Sequence, residues 1–176
     1  MFLETKHLIL RKFNEEDFAD FCEFAIDAEM CRMMGREDIH DEESARATFD
    51  WLMNREKRGY VLVYKESGKV IGNLTITAPP SPVAAHLLAT KKSGCALSFS
   101  ISRHYQRRGL MQEAVTAVIT QLFQVEHFDY INCGYFDFNI SSAKLQQKLG
   151  FEHLLTEHFV QDGTAFVVLE NILWNR

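Results

Sequence analysis

The stretch Gln106-Arg107-Arg108-Gly109-Leu110-Met111 holds residue types suited to binding an anion. An alternating apolar run, Cys95 to Ile101, leads into it, and a helical pattern, Leu110 to Phe123, leads out. Strand, tight basic turn and helix start, in that order, aim helix-terminal N–H groups without intrahelical partners at one point. The helix dipole adds roughly half a positive charge there, and such ends bind phosphate readily. Gly109 lets the backbone approach a phosphate closely or adopt a positive φ. Arg107 and Arg108 add cationic charge at the mouth. The stretch reads as the holder of a coenzyme pyrophosphate; the same residues also suit a solvated turn with two surface arginines.

The elements around this turn follow from periodicity. Lys6 to Phe13 reads as a first strand, and Asn14 with Asp17 as a capping pair for a helix from Glu15 to about Ala28. Cys31 to Asp41 reads as a loop, followed by a helix from Glu42 to Arg55 that Lys57 to Gly59 closes. Tyr60 to Tyr64 and Lys69 to Thr77 form a hairpin around Ser67-Gly68. All of the prolines, Pro79, Pro80 and Pro82, fall in an irregular insertion, Ala78 to Ser93, with a short helical piece around Ala84 to Ala89. This loop-like piece is expected to border the site for the second substrate. Cys95 to Ile101 is a strand, Leu110 to Val125 the main helix, and Tyr130 to Asp137 another strand. Asn139 caps a shorter helix that ends at Gly150. Phe151 to Phe159 and Thr164 to Leu173 close the chain as a hairpin around Gln161-Asp162-Gly163.

The order β α α β β β α β α β β implies a mixed α/β fold. Strand–helix–strand through the middle makes Cys95–Ile101 and Tyr130–Asp137 a parallel pair, and the flanking hairpins supply antiparallel neighbours. The expected architecture is a mixed, mostly antiparallel sheet with a central splayed parallel pair and helices on both faces. The 176 residues suit a single domain. A formal net charge of −5 argues against a nucleic-acid binder that relies on bulk charge. Cys22, Cys31, Cys95 and Cys133 contain no C-x-x-C pair, and no His cluster has zinc spacing, so no metal is expected. No segment is long and apolar enough to act as a signal peptide or to span a membrane, and a reduced, cytoplasmic setting is the expectation.

Two separate motifs give the chain a resemblance. Ser98-Phe99-Ser100-Ile101-Ser102-Arg103-His104-Tyr105 through Gln106 to Ala114 looks like a strand followed by Q/R-x-x-G-x-G/A. Asn139-Ile140-Ser141-Ser142 through Lys148-Leu149-Gly150-Phe151 looks like an N-x-x-S signature that ends in K-x-G-F. With the opening Leu8-Ile9-Leu10-Arg11, these resemble the GCN5-related N-acetyltransferases, in particular the branch that acetylates ribosomal-protein alanine termini. The resemblance covers nearly the whole chain and implies transfer of an acetyl group from acetyl-CoA to a primary amine, either a peptide N-terminus or a small amine. It implies that the backbone near Phe99, Ile101 and Arg103 pairs with pantetheine. The N–H groups of Gln106, Arg107, Arg108, Gly109, Leu110 and Met111 would cradle the pyrophosphate. Asn139 and Ser142 would face the coenzyme near its sulfur, and a homodimer would fit the family.

Direct attack of a neutral amine on the thioester needs oxyanion stabilisation and a proton for the thiolate. Ser142 is the candidate acid, because the tyrosine that many members carry further along this helix is Gln146 here. Many members of the branch also carry a glutamate where this chain has Ala96, so the base is open. Glu37, Asp38 and His40 are loop candidates, and Tyr135 and Asp137 candidate substrate contacts. Glu113 reads as structural, at a helix start where a carboxylate is favoured. A non-catalytic acyl-CoA-binding module is the alternative, consistent with the loss of both the tyrosine and the glutamate.

Overall fold

The computed structural model describes residues 1–36, 38–54, 58–161 and 163–176. Its strands are β1 (Leu3–Glu4), β2 (Leu8–Arg11), β3 (Arg58–Tyr64), β4 (Val70–Thr77), β5 (Gly94–Ile101), β6 (Tyr130–Phe136), β7 (Glu152–Gln161) and β8 (Thr164–Trp174). They form one sheet in the order β1-β2-β3-β4-β5-β6-β8-β7. The ladders β1–β2, β2–β3, β3–β4, β6–β8 and β7–β8 are antiparallel. The parallel pair is β5 with β6, as the strand–helix–strand order requires. Its register runs from Gly94↔Tyr130 to Ala96↔Asn132, although β5 itself continues to Ile101.

The chain falls into two compact units, Met1–Ile76 with Phe99–Val118, and Thr77–Ser98 with Ile119–Arg176. In the first, Phe21, Phe24, Phe49, Leu52, Val61, Val63 and Val70 form a core, with Phe13, Phe18 and Met53 packed against it. The rings meet mostly edge-on, Phe13 to Phe49 at 5.5 Å and Phe18 to Phe49 at 5.2 Å. Each such buried ring contributes about 1.5–3 kcal/mol of transfer free energy.

The helix expected from Glu15 to Ala28 ends earlier, at Ala25. A 3₁₀ turn (Glu15–Asp17) leads into α1 (Phe18–Ala25), and α2 (Ala28–Met34) follows where a loop is expected. Asp27 makes the break: its carboxylate accepts from the N–H groups of Glu29 and Met30, and so starts a new helix. Gly35, at φ 63°, ends it. The expected box of Asn14 and Asp17 is present, and the buried Asp17 also takes a bidentate pair from Arg11 at 2.7 and 2.8 Å. α3 (Glu42–Met53) starts at Asp41 as expected, while Arg55 and Lys57, assigned to its end, lie outside the described residues.

In the second unit, the insertion read as irregular with a helical piece around Ala84 to Ala89 is more ordered, folding as α4 (Ser81–Leu87) and a 3₁₀ turn (Leu88–Thr90). Pro82 in its first turn suits a helix start rather than opposing one. Val83 and Leu87 pack with Tyr130 and Ile172. The register puts Tyr130, Asn132, Gly134 and Phe136 of β6 on that same face, with Phe166, Val168, Glu170, Ile172 and Trp174 of β8. α5 (Leu110–Gln124) begins in the first unit and ends in the second. α6 (Ile140–Lys148) reaches the opposite face of β8, where Gln146 meets Asn171. Helices therefore cover both faces of this part of the sheet, as expected. The closing hairpin is formed by β7 and β8; Asp162 of its expected turn lies outside the described residues.

Candidate functional site

In the first unit β5 ends beside β4, where the Ser102 N–H donates to Ile71 O at 2.8 Å and Ser100 Oγ donates to Asn73 Oδ1 at 2.6 Å. Gly72 permits this approach, since a Cβ there would stand 2.3 Å from Ser100 O. A 3₁₀ turn (Arg103–Tyr105) then carries the chain into Gln106–Gly109. Gly109 takes φ 78°, as its position suggests, and Arg107 takes φ 62°, a left-handed non-glycine residue that the sequence does not announce. An ideal Cβ at Gly109 meets no atom within 4 Å, so the turn is bordered by open space. Arg107 and Arg108 are exposed, and Leu110 is buried as the first residue of α5. The donor set thus suits a phosphate: adjacent main-chain N–H groups at a helix start, with two cations beside them.

Side chains hold the turn in shape. Gln106 Nε2 donates to Ile101 O at 3.2 Å, tying the turn to the end of β5. Arg103 pairs with Asp27 Oδ2 at 2.7 Å and Glu29 Oε2 at 3.3 Å, so its side chain anchors the start of α2. The Arg108 guanidinium lies 5.2 Å over the Tyr105 ring, which packs edge-on against Tyr64. Phe99 is half-buried in β5. Met111 is half-buried in the first turn of α5. Glu113 is structural: its Oε1 accepts from His7 N at 2.7 Å and from Thr5 Oγ1, and its Oε2 pairs with His7 Nδ1. Burial raises this carboxyl, but the bonds from Thr5 and His7 outweigh it and leave the group below its ordinary value.

In the second unit Asn139 is an N-cap, its Oδ1 accepting from Ser142 N at 3.1 Å. One helical turn on, Gln146 is fully buried. Its Nε2 donates to Ser142 Oγ at 3.1 Å, and its Oε1 accepts from Asn171 Nδ2 at 3.0 Å. The amide is fixed at both ends. Because Ser142 Oγ accepts from it, the hydroxyl proton is directed elsewhere. Gln146 therefore orients the serine hydroxyl.

The described loop candidates for a base, Asp38 and His40, have structural partners. Asp38 pairs with Arg36 at 2.9 Å, a hydrogen bond that holds its carboxyl below the usual range despite some desolvation. His40 is exposed and its Nδ1 lies 3.0 Å from Asp38 O. Glu37 lies outside the described residues. Tyr135 is half-buried and Asp137 exposed at the end of β6. The group that sequence reading missed is Glu170, 6% exposed, whose Oε2 accepts from Asn132 Nδ2 at 2.8 Å. Desolvation raises its carboxyl; the Asn132 bond works the other way and the charge of Glu157 adds to the rise. The available signal was an acid at a core parity position between Val168 and Ile172.

No helix among the described residues is long and apolar enough to cross a membrane. A family model described as an acetyltransferase (GNAT) domain matches residues 7–152. An uncharacterized N-acetyltransferase of Bacillus subtilis, YoaA, is 28% identical over 171 residues, covering 93% of this chain and 91% of the relative. The ribosomal protein uS5-alanine N-acetyltransferase of Escherichia coli is 40% identical over 58 residues, 33% of this chain and 30% of that one. Among solved structures, a GNAT-family acetyltransferase from Bacillus anthracis superposes with a TM-score of 0.85 at 14% identity, over 99% of both chains. The ribosomal-protein-S5-alanine acetyltransferase of Vibrio fischeri gives 0.72 at 18% identity, over 99% of this chain and 97% of that one.

Proposed function

The chain belongs to the GCN5-related N-acetyltransferases, a family that moves acetyl groups to amines, and from that premise we propose that it transfers acetyl from acetyl-CoA to a primary amine in a ternary complex. The acceptor is a protein N-terminal α-amine or a small-molecule amine, the first in keeping with the uS5-alanine relative. The observation that carries the reading is the exposed turn at Arg107 and Gly109, left-handed at both residues and leading straight into α5. Main-chain donors of Arg107, Arg108, Gly109, Leu110 and Met111 would hold the pyrophosphate, while the Gln106 N–H, counted with them from sequence, donates to Arg103 O at 3.3 Å; the backbone of Phe99, Ile101 and Arg103 would hold the pantetheine. Both units together would form one acetyltransferase domain over residues 1–176, working in the cytoplasm and able to pair as a homodimer.

In this reading the amine lone pair attacks the thioester carbonyl, C–N forms and C–S breaks. A thiol of pKa ~8.5 leaves readily, and Ser142, beside Asn139, supplies its proton. Gln146 stands where a tyrosine acid would, and its amide sets the Ser142 hydroxyl instead. The test is incubation with acetyl-CoA and an amine panel, following free thiol and acetylated product. Turnover with at least one amine is expected. Tight acetyl-CoA binding without turnover on any amine would favour a non-catalytic acyl-CoA-binding module.

A further inference from the structure

Within the second unit a single carboxylate has a place cut for it. Glu170 extends from β8 over β6, and its head lies against Gly134: a Cβ there would stand 2.7 Å from Oε1 and 2.8 Å from Oε2. Gly134 is not among the positive-φ glycines, so its backbone does not require glycine. What the missing side chain provides is room for the carboxylate. Asn132 Nδ2 holds the same head, and also bonds Asn171 O at 3.0 Å. On β5 the partner of Asn132 is Ala96, which brings no acid to this face.

The surroundings are divided at Glu170. On one side Val83 and Leu87 of α4 close an apolar core with Tyr130 and Ile172. On the other, Phe136 packs against Phe138, Phe159 and Phe166 at 5.3–6.3 Å. That wall is half-open: Gly134 is exposed and Phe159 is 38% exposed. A carboxylate buried among apolar groups costs stability unless fully paired, and Glu157, on the same face from β7, makes the cost greater. Folding alone does not account for an acid here.

We propose that Glu170 accepts the proton of the acceptor amine, with the phenylalanine wall as the acceptor's side of the site. The inference rests on the acetyl transfer proposed above. As C–N forms, the N–H proton passes to the Glu170 carboxylate; C–S breaks and the thiolate takes a proton from Ser142. Glu170 then returns its proton to water, and Ser142 regains one from water. The two groups lie on opposite sides of the sheet: Glu170 and Asn171 are consecutive in β8, and Asn171 faces Gln146 and hence Ser142.

Among the described residues, the charged groups around Glu170 are few. β7 contributes Glu157, and β6 contributes Cys133, whose buried thiol is pushed up by desolvation and by the Glu170 charge. α4 turns Val83 and Leu87 inward and leaves His86 exposed. The experiment compares wild type with Glu170→Gln, Gly134→Ala and Glu157→Gln. The probes are acetyl-CoA with peptides beginning Ala, Ser, Met or Phe, with phenethylamine and with spermidine; the best acceptor of the wild type is used throughout. Glu170→Gln should lower kcat/KM by about 10²–10⁴-fold, leave acetyl-CoA affinity unchanged and reduce the low-pH rise of log kcat/KM from two protons to the one that belongs to the acceptor amine itself. Gly134→Ala displaces only the end of a flexible side chain, so it should fold and still lose about tenfold or more by the same mechanism. Glu157→Gln removes a like charge and should move the rise to lower pH. Retention of the two-proton rise in Glu170→Gln, or an unmoved carboxyl-linked part of the rise in Glu157→Gln, would overturn the inference while acetyl transfer stands. A folded wild type that acetylates none of the probes would overturn both.

Discussion

Arg108 is exposed but not free to wander, because its guanidinium rests on Tyr105 and Tyr105 on Tyr64. Charge-assisted hydrogen bonds contribute roughly 1.5–3 kcal/mol each, so Arg108→Glu should weaken acetyl-CoA binding about ten- to a hundredfold. Unchanged affinity in titration calorimetry would remove this side chain from the pyrophosphate. Ser142→Ala should lower kcat by about 10²-fold, at the low end for a general acid, with little change in KM for acetyl-CoA. Gln146→Leu frees the Ser142 hydroxyl and should lower kcat less, most visibly with acyl donors whose thiol leaves poorly. At Glu113 the folded carboxyl lies below its unfolded value of ~4.3, so its contribution to stability is present above that pH and fades as pH falls through the folded value. Glu113→Gln should therefore lower the Tm at pH 7, and the gap from wild type should narrow by pH 3 in thermal melts.

The elements differ in how plainly the sequence announces them. β5, the basic turn and α5 were legible because an alternating run, a glycine and a 3.6-residue pattern follow one another without a break. α6 was legible from Asn139 at one end and Gly150, φ 86°, at the other. The division between α1 and α2 was not, because Asp27 reads equally as a helix-interior acid until its carboxylate is seen accepting two N–H groups. α4 was legible only as a short helical piece around Ala84 to Ala89; its start was obscured by Pro79 and Pro80, which precede it, and by Pro82 within its first turn. The Glu170 site was the least legible, since Gly134, Asn132 and Glu170 come together only through a strand register that no local pattern encodes. Because Val83 and Leu87 pack on that same face, the proposed acceptor side would have α4 along its border. Leu87→Ala should lower stability by about 2–5 kcal/mol in denaturant unfolding. Under folding conditions it should change acceptor KM more than acetyl-CoA affinity; the reverse would detach α4 from the acceptor.

For the whole molecule, binding of acetyl-CoA to the native state alone should raise stability by mass action. At a hundred times Kd the gain is about 2.7 kcal/mol. For a chain of this size that corresponds to a rise in Tm of roughly 5–10 °C, read by scanning calorimetry. No shift at saturating acetyl-CoA would count against the whole reading of the turn. The slot at Gly134 has a further consequence, in heredity. Alanine there would be light on the fold yet would push the acid on β8 out of place, and a short side chain at 170 would leave an empty notch above β6. Positions 134 and 170, far apart in the gene, are therefore bound to one lineage history: descendants that keep the acid should keep the glycine, and those that lose one are released from the other.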